Sequence, residues 1–325
     1  MPVLARLRSR VFPVAGEPAK TLPPSLFNDY LETAVGDPQP PIPRDLTSGV
    51  CAAPGCDSGW VKPWKNRTRP IFEGRWGCST RCIQRLVAAA VQRETGPGGD
   101  DTAYTPHRHR IPLGLVLLAQ NWITHAQLQS ALESQRANGH GRIGDWLVQI
   151  CGIDPRLVTR ALGMQWGCPV FTTEGLSPST MALVMPKRFM VEFGLVPLRV
   201  AAGDQLYLAS EDHIDSAAAL AIEQMTALKV QTGLLDDARF AEARSAILAA
   251  DAVPLTLETV TDVATLAGRI TRLLEQKLPL STRLVRIHQY YWLRIWLESG
   301  AFSRTGTLPS GTEDIHDFLF TLAKR

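Results

Sequence analysis

The sequence predicts a multi-domain α+β protein, and three of its segments carry this prediction. Residues 111–167 show a helical spacing of apolar residues, whereas residues 170–230 change to short apolar runs separated by turns. Two closely spaced cysteine pairs precede both segments. With 325 residues, of which 45% are hydrophobic, the chain is long enough to bury about two or three separate cores.

The first fifty residues are predicted to be a disordered arm. Prolines recur between residues 17 and 50 and few apolar residues cluster there, so no packed element is expected. The basic start, residues 1–16, lacks the continuous apolar stretch of a signal peptide. No later segment approaches the roughly 20 apolar residues that a membrane span needs. We therefore expect a cytoplasmic protein without a membrane span.

The cysteines of residues 51–94 predict a structural zinc knuckle. In a reducing compartment, close cysteine pairs point to a metal rather than to disulfides. Cys51 with Cys56 and Cys78 with Cys82 would supply four thiolates, which complete a tetrahedral zinc shell. The metal would also supply folding energy that so short a segment cannot obtain from its core. The alternative is four unligated thiols.

Between the cysteine pairs, cations and tryptophans alternate over residues 60–76. Such a mixture could stack on nucleic acid, which would make the chain a zinc-dependent nucleic-acid binder. The formal net charge of +3 gives this reading no support, because non-specific phosphate binding needs a concentrated basic surface. A solvated loop is therefore favoured, and nucleic acid is not the expected partner.

After a predicted linker at residues 95–110, where glycines and aspartates favour turns, the chain contains a repeat. Residues 112–135 align with residues 142–165 at an offset of thirty and give six identities, where chance gives about one or two. The identical pairs are Gly114 and Gly144, Leu117 and Leu147, Ile123 and Ile153, Ala131 and Ala161, Leu132 and Leu162, and Gln135 and Gln165.

Each copy is predicted to be a helical hairpin whose second helix begins at the same place. Thr124 followed by Gln127 forms a capping box, and Asp154 followed by Pro155 is an N-cap with proline in the first helical position. Two different kinds of cap therefore predict the same start for the second helix of each copy. The aliphatic positions of both copies are expected to pack inward.

The repeat follows a recognisable order: Arg-Leu-Gly, two variable residues, two aliphatics, a turn, two aliphatics, and then spaced leucines and a glutamine. This order resembles the motif of the MshEN domain. Two tandem copies of that domain's motif lie at the N-terminus of type II secretion and type IV pilus ATPases. Residues 193–200 and 206–215 extend the resemblance, which covers about 110–250. It implies cyclic di-GMP binding, with each copy holding one half of the two-fold ligand. The positions implied as ligand contacts are Leu113, Gly114, Leu117, Leu118, Gln135, Arg142, Ile143, Gly144, Leu147, Val148, Gln165, Asp212 and Asp215.

The chemistry of these residue types suits a guanine nucleotide. Arg142 carries a planar guanidinium that can meet two acceptors on one edge of guanine or stack on the base. Gly114 and Gly144 would let a ligand approach the backbone near a helix start. Gln135 and Gln165 offer both donors and acceptors.

The first copy departs from the motif, because Pro112 stands where the second copy has Arg142. His107, Arg108, His109 and Arg110 lie just upstream, and this basic run could supply a guanidinium to that half. The alternative is that the repeat forms only an apolar core, in which case the chain is a ligand-free scaffold that binds a partner protein.

The rest of the chain is predicted to hold a small α/β part at 169–250 and a helical region at 251–325. Strands are expected at 193–200, 205–209 and 228–232, around a helix at 213–226. Leu284, Ile287, Tyr291 and Ile295 follow helical spacing and predict an amphipathic helix.

The sequence gives no sign of catalysis. It contains no G-x-x-x-x-G-K-[ST], so the ATPase activity of the secretion and pilus proteins is not carried over. It also contains no H-E-x-x-H and no G-x-S-x-G. We therefore expect a signalling adaptor, with a protein partner of a secretion or pilus system, and not an enzyme.

Overall fold

The structure is a computed structural model that describes residues 51–56, 71–96, 110–201, 204–211, 213–297 and 311–323. The predicted arm at 1–50, most of the loop at 60–76, most of the linker at 95–110 and Asp212 lie outside these ranges. The described chain is mixed α/β. Of the helices that it describes, none is long and apolar enough to span a membrane.

The cysteine segment contains a short antiparallel hairpin followed by one helix. The elements are β1 (Ile71–Phe72), β2 (Arg75–Trp76) and α1 (Thr80–Thr95). Ser79 is the N-cap of α1, and its hydroxyl accepts a hydrogen bond from the backbone nitrogen of Cys82 at 3.3 Å. One face of α1, including Ile83 and Val87, is buried.

Four helices follow, and the second and fourth begin where the sequence predicts. They are α2 (Leu113–Ala119), α3 (His125–Asn138), α4 (Ile143–Cys151) and α5 (Pro155–Trp166). Thr124 and Gln127 form the predicted capping box at the start of α3. Asp154 caps α5, with Pro155 in its first turn. These cap predictions are confirmed.

The four helices enclose a small apolar core of their own. Its buried positions recur at the thirty-residue offset, so the two copies of the repeat contribute equivalent side chains. The six buried residues are Leu117, Ile123, Ala131, Leu147, Ile153 and Ala161.

The predicted α/β part is also present. Its elements are α6 (Pro178–Met181), α7 (Lys187–Glu192), β3 (Leu195–Ala201), β4 (Gln205–Ser210), α8 (Ser216–Thr226), β5 (Lys229–Leu234) and α9 (Asp237–Ala249). β3 pairs antiparallel with β4, and β4 pairs parallel with β5. The parallel pair is joined through α8, as parallel strands require a crossover.

The prediction of a helical C-terminal region is wrong, because this region is a four-stranded sheet with one helix. Its elements are β6 (Leu255–Val260), α10 (Val263–Lys277), β7 (Ser281–Ile287), β8 (Tyr290–Trp296) and β9 (Ile315–Leu322). The strand order is β6-β9-β8-β7. The residues assigned to an amphipathic helix, from Leu284 to Ile295, form the β7–β8 hairpin instead.

The error has a physical reason. Every residue of β8 is buried, so its apolar residues do not alternate with polar ones, and an apolar run of this kind fits either a helix or a buried strand. Ile287 pairs with Tyr290 across a two-residue turn. His288 in that turn has a φ of 49°, which ends any helix there.

The cysteine segment shares its core with this C-terminal sheet and is not an isolated knuckle. α1 packs against α10 and β7. Phe72 and Val87 belong to one apolar cluster with Leu274 and Tyr291. The segment therefore gains apolar burial from residues nearly two hundred positions further along the chain.

Candidate ligand-binding site

The N-terminal ends of α2 and α4 are equivalent positions in the two helix pairs. Pro112 is the N-cap of α2 and Arg142 is the N-cap of α4. The carboxylate of Asp145 accepts a hydrogen bond from the Arg142 backbone nitrogen at 3.4 Å and lies 3.5 Å from its Nε. The Arg142 side chain is 53% exposed. Asp145 thus orients the guanidinium, while about half of the Arg142 side chain is exposed to solvent.

Each of the two repeat glutamines bonds the backbone just before the first helix of the other copy. Gln135 Nε2, near the end of α3, donates a hydrogen bond to the carbonyl oxygen of Gly141, just before α4, at 2.7 Å. Gln165 Nε2, near the end of α5, donates to the carbonyl oxygen of Ile111, just before α2, also at 2.7 Å. Donors and acceptors are each thirty residues apart. Each copy therefore holds the start of the other, in a two-fold-like arrangement.

The two repeat glycines serve close helix packing. A Cβ on Gly114 would lie 2.6 Å from Leu128 Cδ1, and a Cβ on Gly144 would lie 2.7 Å from Val158 Cγ1. Leu128 and Val158 are themselves equivalent positions of the repeat. The space left by each missing side chain is thus filled by the facing helix of the same copy.

The aliphatic candidates divide into a hidden and a partly exposed set. Leu117 and Leu147 have no exposed surface and belong to the core. The intermediate set lies around them and keeps some surface; it consists of Leu113, Leu118, Ile143 and Val148. Only these four could touch a ligand directly without a rearrangement of the core.

The carboxylates of Asp145, Asp237 and Glu211 lie near the N-terminal end of α4, where Arg142 is the N-cap. Sequence analysis did not identify them as site residues. Partial burial raises the pKa of Asp237, at the start of α9, while the positive charge of Arg142 opposes this rise. The negative charges of Asp145 and Glu211 raise it further. Asp237 follows the N-cap Asp236, and this acidic helix start after a strand is the sequence signal that could have identified it.

Asp215, one of the predicted ligand contacts, is the N-cap of α8. Its Oδ1 accepts from the backbone nitrogen of Ala218 at 2.9 Å, and its Oδ2 bonds His288 Nε2. Burial alone would raise the pKa of Asp215, but the hydrogen bonds from His288 and Ala218 hold it below its usual value. The carboxylate thus ties α8 to the β7–β8 turn. Asp212 lies outside the described residues.

Arg110, the upstream candidate for the first half, lies at the end of α5. Its guanidinium carbon is 3.0 Å from the centre of the Trp166 ring system. Trp166 directly follows Gln165, and its ring centroid is 6.3 Å from that of His213. A cation and an aromatic face therefore lie beside the Gln165 bond that fixes α2. Trp166 is a residue that repeat analysis missed, because the equivalent position of the first copy is Arg136.

The four predicted metal ligands lie together. Cys51, Cys56, Cys78 and Cys82 place their sulfurs within 4.8 Å of one another. The measured Sγ–Sγ distances are 3.4 Å for Cys78 with Cys82, 3.5 Å for Cys56 with Cys78 and 3.7 Å for Cys56 with Cys82. All are far longer than the roughly 2.05 Å of a disulfide.

Local structure explains this convergence. The backbone nitrogen of Cys78 lies 3.2 Å from Cys51 Sγ, and the backbone nitrogen of Ala52 donates to the carbonyl oxygen of Trp76 at 3.1 Å. Burial raises the pKa of the Cys51 thiol to about 11. The hairpin β1–β2 thus brings the first cysteine pair to the start of α1, where the second pair lies.

Comparisons with known proteins give a limited likeness. No protein-family model and no curated protein matches the sequence. The solved structure of MshE with cyclic di-GMP is 21% identical and covers 42% of this chain and 98% of its own, with a TM-score of 0.35. The N-terminal domain of XpsE is 18% identical and covers 41% of this chain and 92% of its own, with a TM-score of 0.30. These two structures agree with the resemblance that the repeat motif predicted, and at this level of similarity they carry no argument about the fold, a ligand or a partner.

Proposed function

We propose that this chain is a cyclic di-GMP-responsive regulatory or adaptor protein, in which the ends of α2 and α4 each hold one half of the ligand. The observation that carries the proposal is the reciprocal pair of glutamine bonds, 2.7 Å each. A ligand built of two identical halves is best matched by two equivalent half-sites. The sequence motif supports this ligand through its resemblance to the MshEN domain.

In the second half-site, Arg142 is the residue that reads guanine. Its planar guanidinium can donate to guanine N7 and O6 at once, and it is already held by Asp145. The nearby carboxylates of Asp145 and Asp237 can accept from the guanine amino group. The partly exposed aliphatic residues Ile143 and Val148 form the apolar surface beneath the base.

In the first half-site, Arg110 replaces the guanidinium that Pro112 cannot supply. Its position on the Trp166 ring places a cation and an aromatic face next to Gln165. A base could stack on such a surface. The two halves would then be chemically different, so we expect the second half to contribute more of the affinity.

The proposed action is regulation without catalysis. Ligand binding would favour one arrangement of the helix pairs against the α/β part and so change the surface offered to a protein partner. The resemblance to the MshEN domain makes a secretion or pilus component the partner to test first.

Calorimetric titration with cyclic di-GMP tests the proposal, with GTP and cyclic di-AMP as controls. We expect selective, saturable binding, and we expect Arg142→Ala to weaken it by about tenfold or more because one bidentate base contact is lost. Arg272→Ala is the matched control, since Arg272 is exposed on α10 away from the repeat. Equal affinity of the Arg142 and Arg272 variants would remove the Arg142 assignment.

A ligand-free scaffold is the second candidate, and a specific observation favours it. Ile111 and Leu115, on either side of Pro112, are 62% and 52% exposed. Exposed aliphatic residues of this size suit a protein contact. Absence of cyclic di-GMP binding at high concentration would reject the receptor proposal in favour of this one.

We also propose that Cys51, Cys56, Cys78 and Cys82 hold a structural zinc ion. Zn–S bonds of about 2.3 Å place tetrahedral sulfurs about 3.8 Å apart, close to the 3.4–3.7 Å between the sulfurs of Cys56, Cys78 and Cys82. The cluster is therefore near the geometry of an occupied site. Zinc there would tie the first cysteine pair to α1 and need no open coordination position.

Metal analysis of the purified protein tests this second proposal. We expect about one zinc per chain, and much less in Cys82→Ser, since structural sites of this type use all four thiolates. Cys168→Ser is the matched control, because Cys168 lies outside the cluster. An unchanged zinc content in Cys82→Ser would contradict the assignment.

A further inference from the structure

A cleft of about 580 Å³ lies on the side of α5, next to the segment that follows this helix and to the start of α9. None of its lining residues belongs to the positions assigned above to cyclic di-GMP. Its size falls within the roughly 300–1,000 Å³ of small-molecule sites. The residues that decide its chemistry are Arg156, Arg160, Met164, Val170, Asp236 and Arg239.

The polar wall of the cleft is strongly cationic. Arg156 and Arg160 lie one turn apart on α5, a spacing at which like charges repel, and Arg239 faces the same space from α9. Among the residues that the structure describes, no carboxylate forms an ion pair with the side chain of Arg156 or Arg160. The guanidinium carbon of Arg160 lies 5.4 Å from the centre of the Trp122 ring, a contact that leaves its charge unneutralised. A bound anion would relieve this repulsion.

The acidic residue of the lining does not neutralise these charges. Asp236 caps α9 by accepting from the backbone nitrogen of Arg239 at 3.1 Å, and it lies 3.4 Å from Arg239 Nε. Its charge is therefore already shared with one guanidinium and with the helix start. The lining of three arginines and one aspartate keeps an excess of positive charge that suits a dianion.

The other wall is apolar and open. Met164 and Val170 are 46% and 43% exposed. Phe171 also lines the cleft and is itself buried. An apolar group of a ligand could cover these side chains while its anionic group meets the arginines.

We infer that this cleft binds a small phosphate ester that carries an apolar or aromatic group, the class to which mononucleotides belong. Guanidinium groups match phosphate through paired N–H···O bonds, and a phosphate dianion meets more of the three cations than a carboxylate can. Because Arg156 and Arg160 lie on the helical repeat and Arg239 on the α/β part, the ligand would brace these two parts together.

Titration of the full chain with AMP and with phenyl phosphate tests this inference, using adenosine and inorganic phosphate as partial ligands. We expect saturable binding of both esters together with a rise in melting temperature. Adenosine should not bind, because it lacks the phosphate that the arginines would contact. Inorganic phosphate should bind at least about tenfold more weakly, because it lacks the apolar or aromatic group.

The variant Arg156→Gln/Arg160→Gln identifies the site. It should weaken ester binding at least about tenfold, because two charge-assisted contacts are lost, while Arg272→Gln should bind as the parent does. Its cyclic di-GMP titration should be unchanged, which separates this cleft from the proposed receptor site. Lack of ester binding by the parent at millimolar concentration would overturn the inference, as would undiminished binding by the double variant or equally tight binding of inorganic phosphate.

Discussion

At the scale of single residues, the ion pair of Arg294 and Asp317 is a position where a substitution should strongly lower the free energy of unfolding. The two side chains are 2% and 0% exposed and join through two bonds of 2.8 Å. Arg294 also donates to the carbonyl oxygens of Leu183 and Val184, at 3.0 and 3.2 Å. Trp292 Nε1 donates to the same carboxylate at 2.9 Å. The pair is thus fully bonded and connects β8 and β9 to the segment after α6.

We expect Asp317→Ala to lower the free energy of unfolding by about 3–5 kcal/mol, because the charge of Arg294 would stay buried without a counter-charge. Replacing both residues by apolar ones, Arg294→Met with Asp317→Leu, should restore most of this loss. Urea unfolding of the three proteins measures the difference. A double variant as unstable as the single one would show that the hydrogen bonds of Arg294, and not its charge, dominate.

At the scale of elements, two glycines set the distance between the helices of each repeat copy. Gly114 faces Leu128 and Gly144 faces Val158, with room for no additional carbon. At Gly268, within α10, a Cβ would have no atom within 4 Å apart from its chain neighbours and the backbone of its own helix. The chain therefore offers a crowded and an open helical glycine for comparison.

Gly144→Ala should destabilise the protein by about 1–3 kcal/mol, because the added carbon would overpack the contact with Val158. Gly268→Ala should instead stabilise it by about 0.5–1 kcal/mol through the better helix propensity of alanine. Thermal unfolding of both variants measures these effects. Equal shifts of the same sign would mean that the helix pairs can move apart to admit the carbon.

At the scale of the whole molecule, the C-terminal sheet separates two apolar cores. Tyr291 and Leu293 of β8 face the core shared with the cysteine segment, whereas Tyr290 and Trp292 face the core of the α/β part. The four-helix repeat keeps a third core. Loss of order at the cysteine cluster should therefore destabilise the C-terminal sheet but not the four-helix repeat.

Hydrogen exchange before and after zinc chelation tests this division. Peptides from α1, β7 and β8 should exchange faster once the metal is removed, because they pack on the core that the cysteine segment helps to form. Peptides from α2 to α5 should not change. Faster exchange confined to residues 71–96 would contradict this division, because it would mean that the stability of β7 and β8 does not depend on the cysteine segment.

The sequence by itself determined those features of this protein that depend on local chemistry and on the internal repeat. The capping residues Thr124 and Asp154 depend on neighbours within a few positions, and the short apolar runs of residues 193–232 indicated the strands of the α/β part. The thirty-residue offset predicted which positions would be equivalent, and the burial pattern repeats at that offset. The four cysteines were identified by spacing and chemistry alone.

Tertiary structure decided what depends on partners far along the chain. β8 is a strand because both of its faces are buried against different cores, which no local period can reveal. Gln135 and Gln165 bond backbone carbonyls at the start of the other copy, and the arginine-lined cleft takes its residues from α5 and α9. Burial and long-range hydrogen bonds are properties of the packed chain, so they follow from its folded arrangement and not from any short segment.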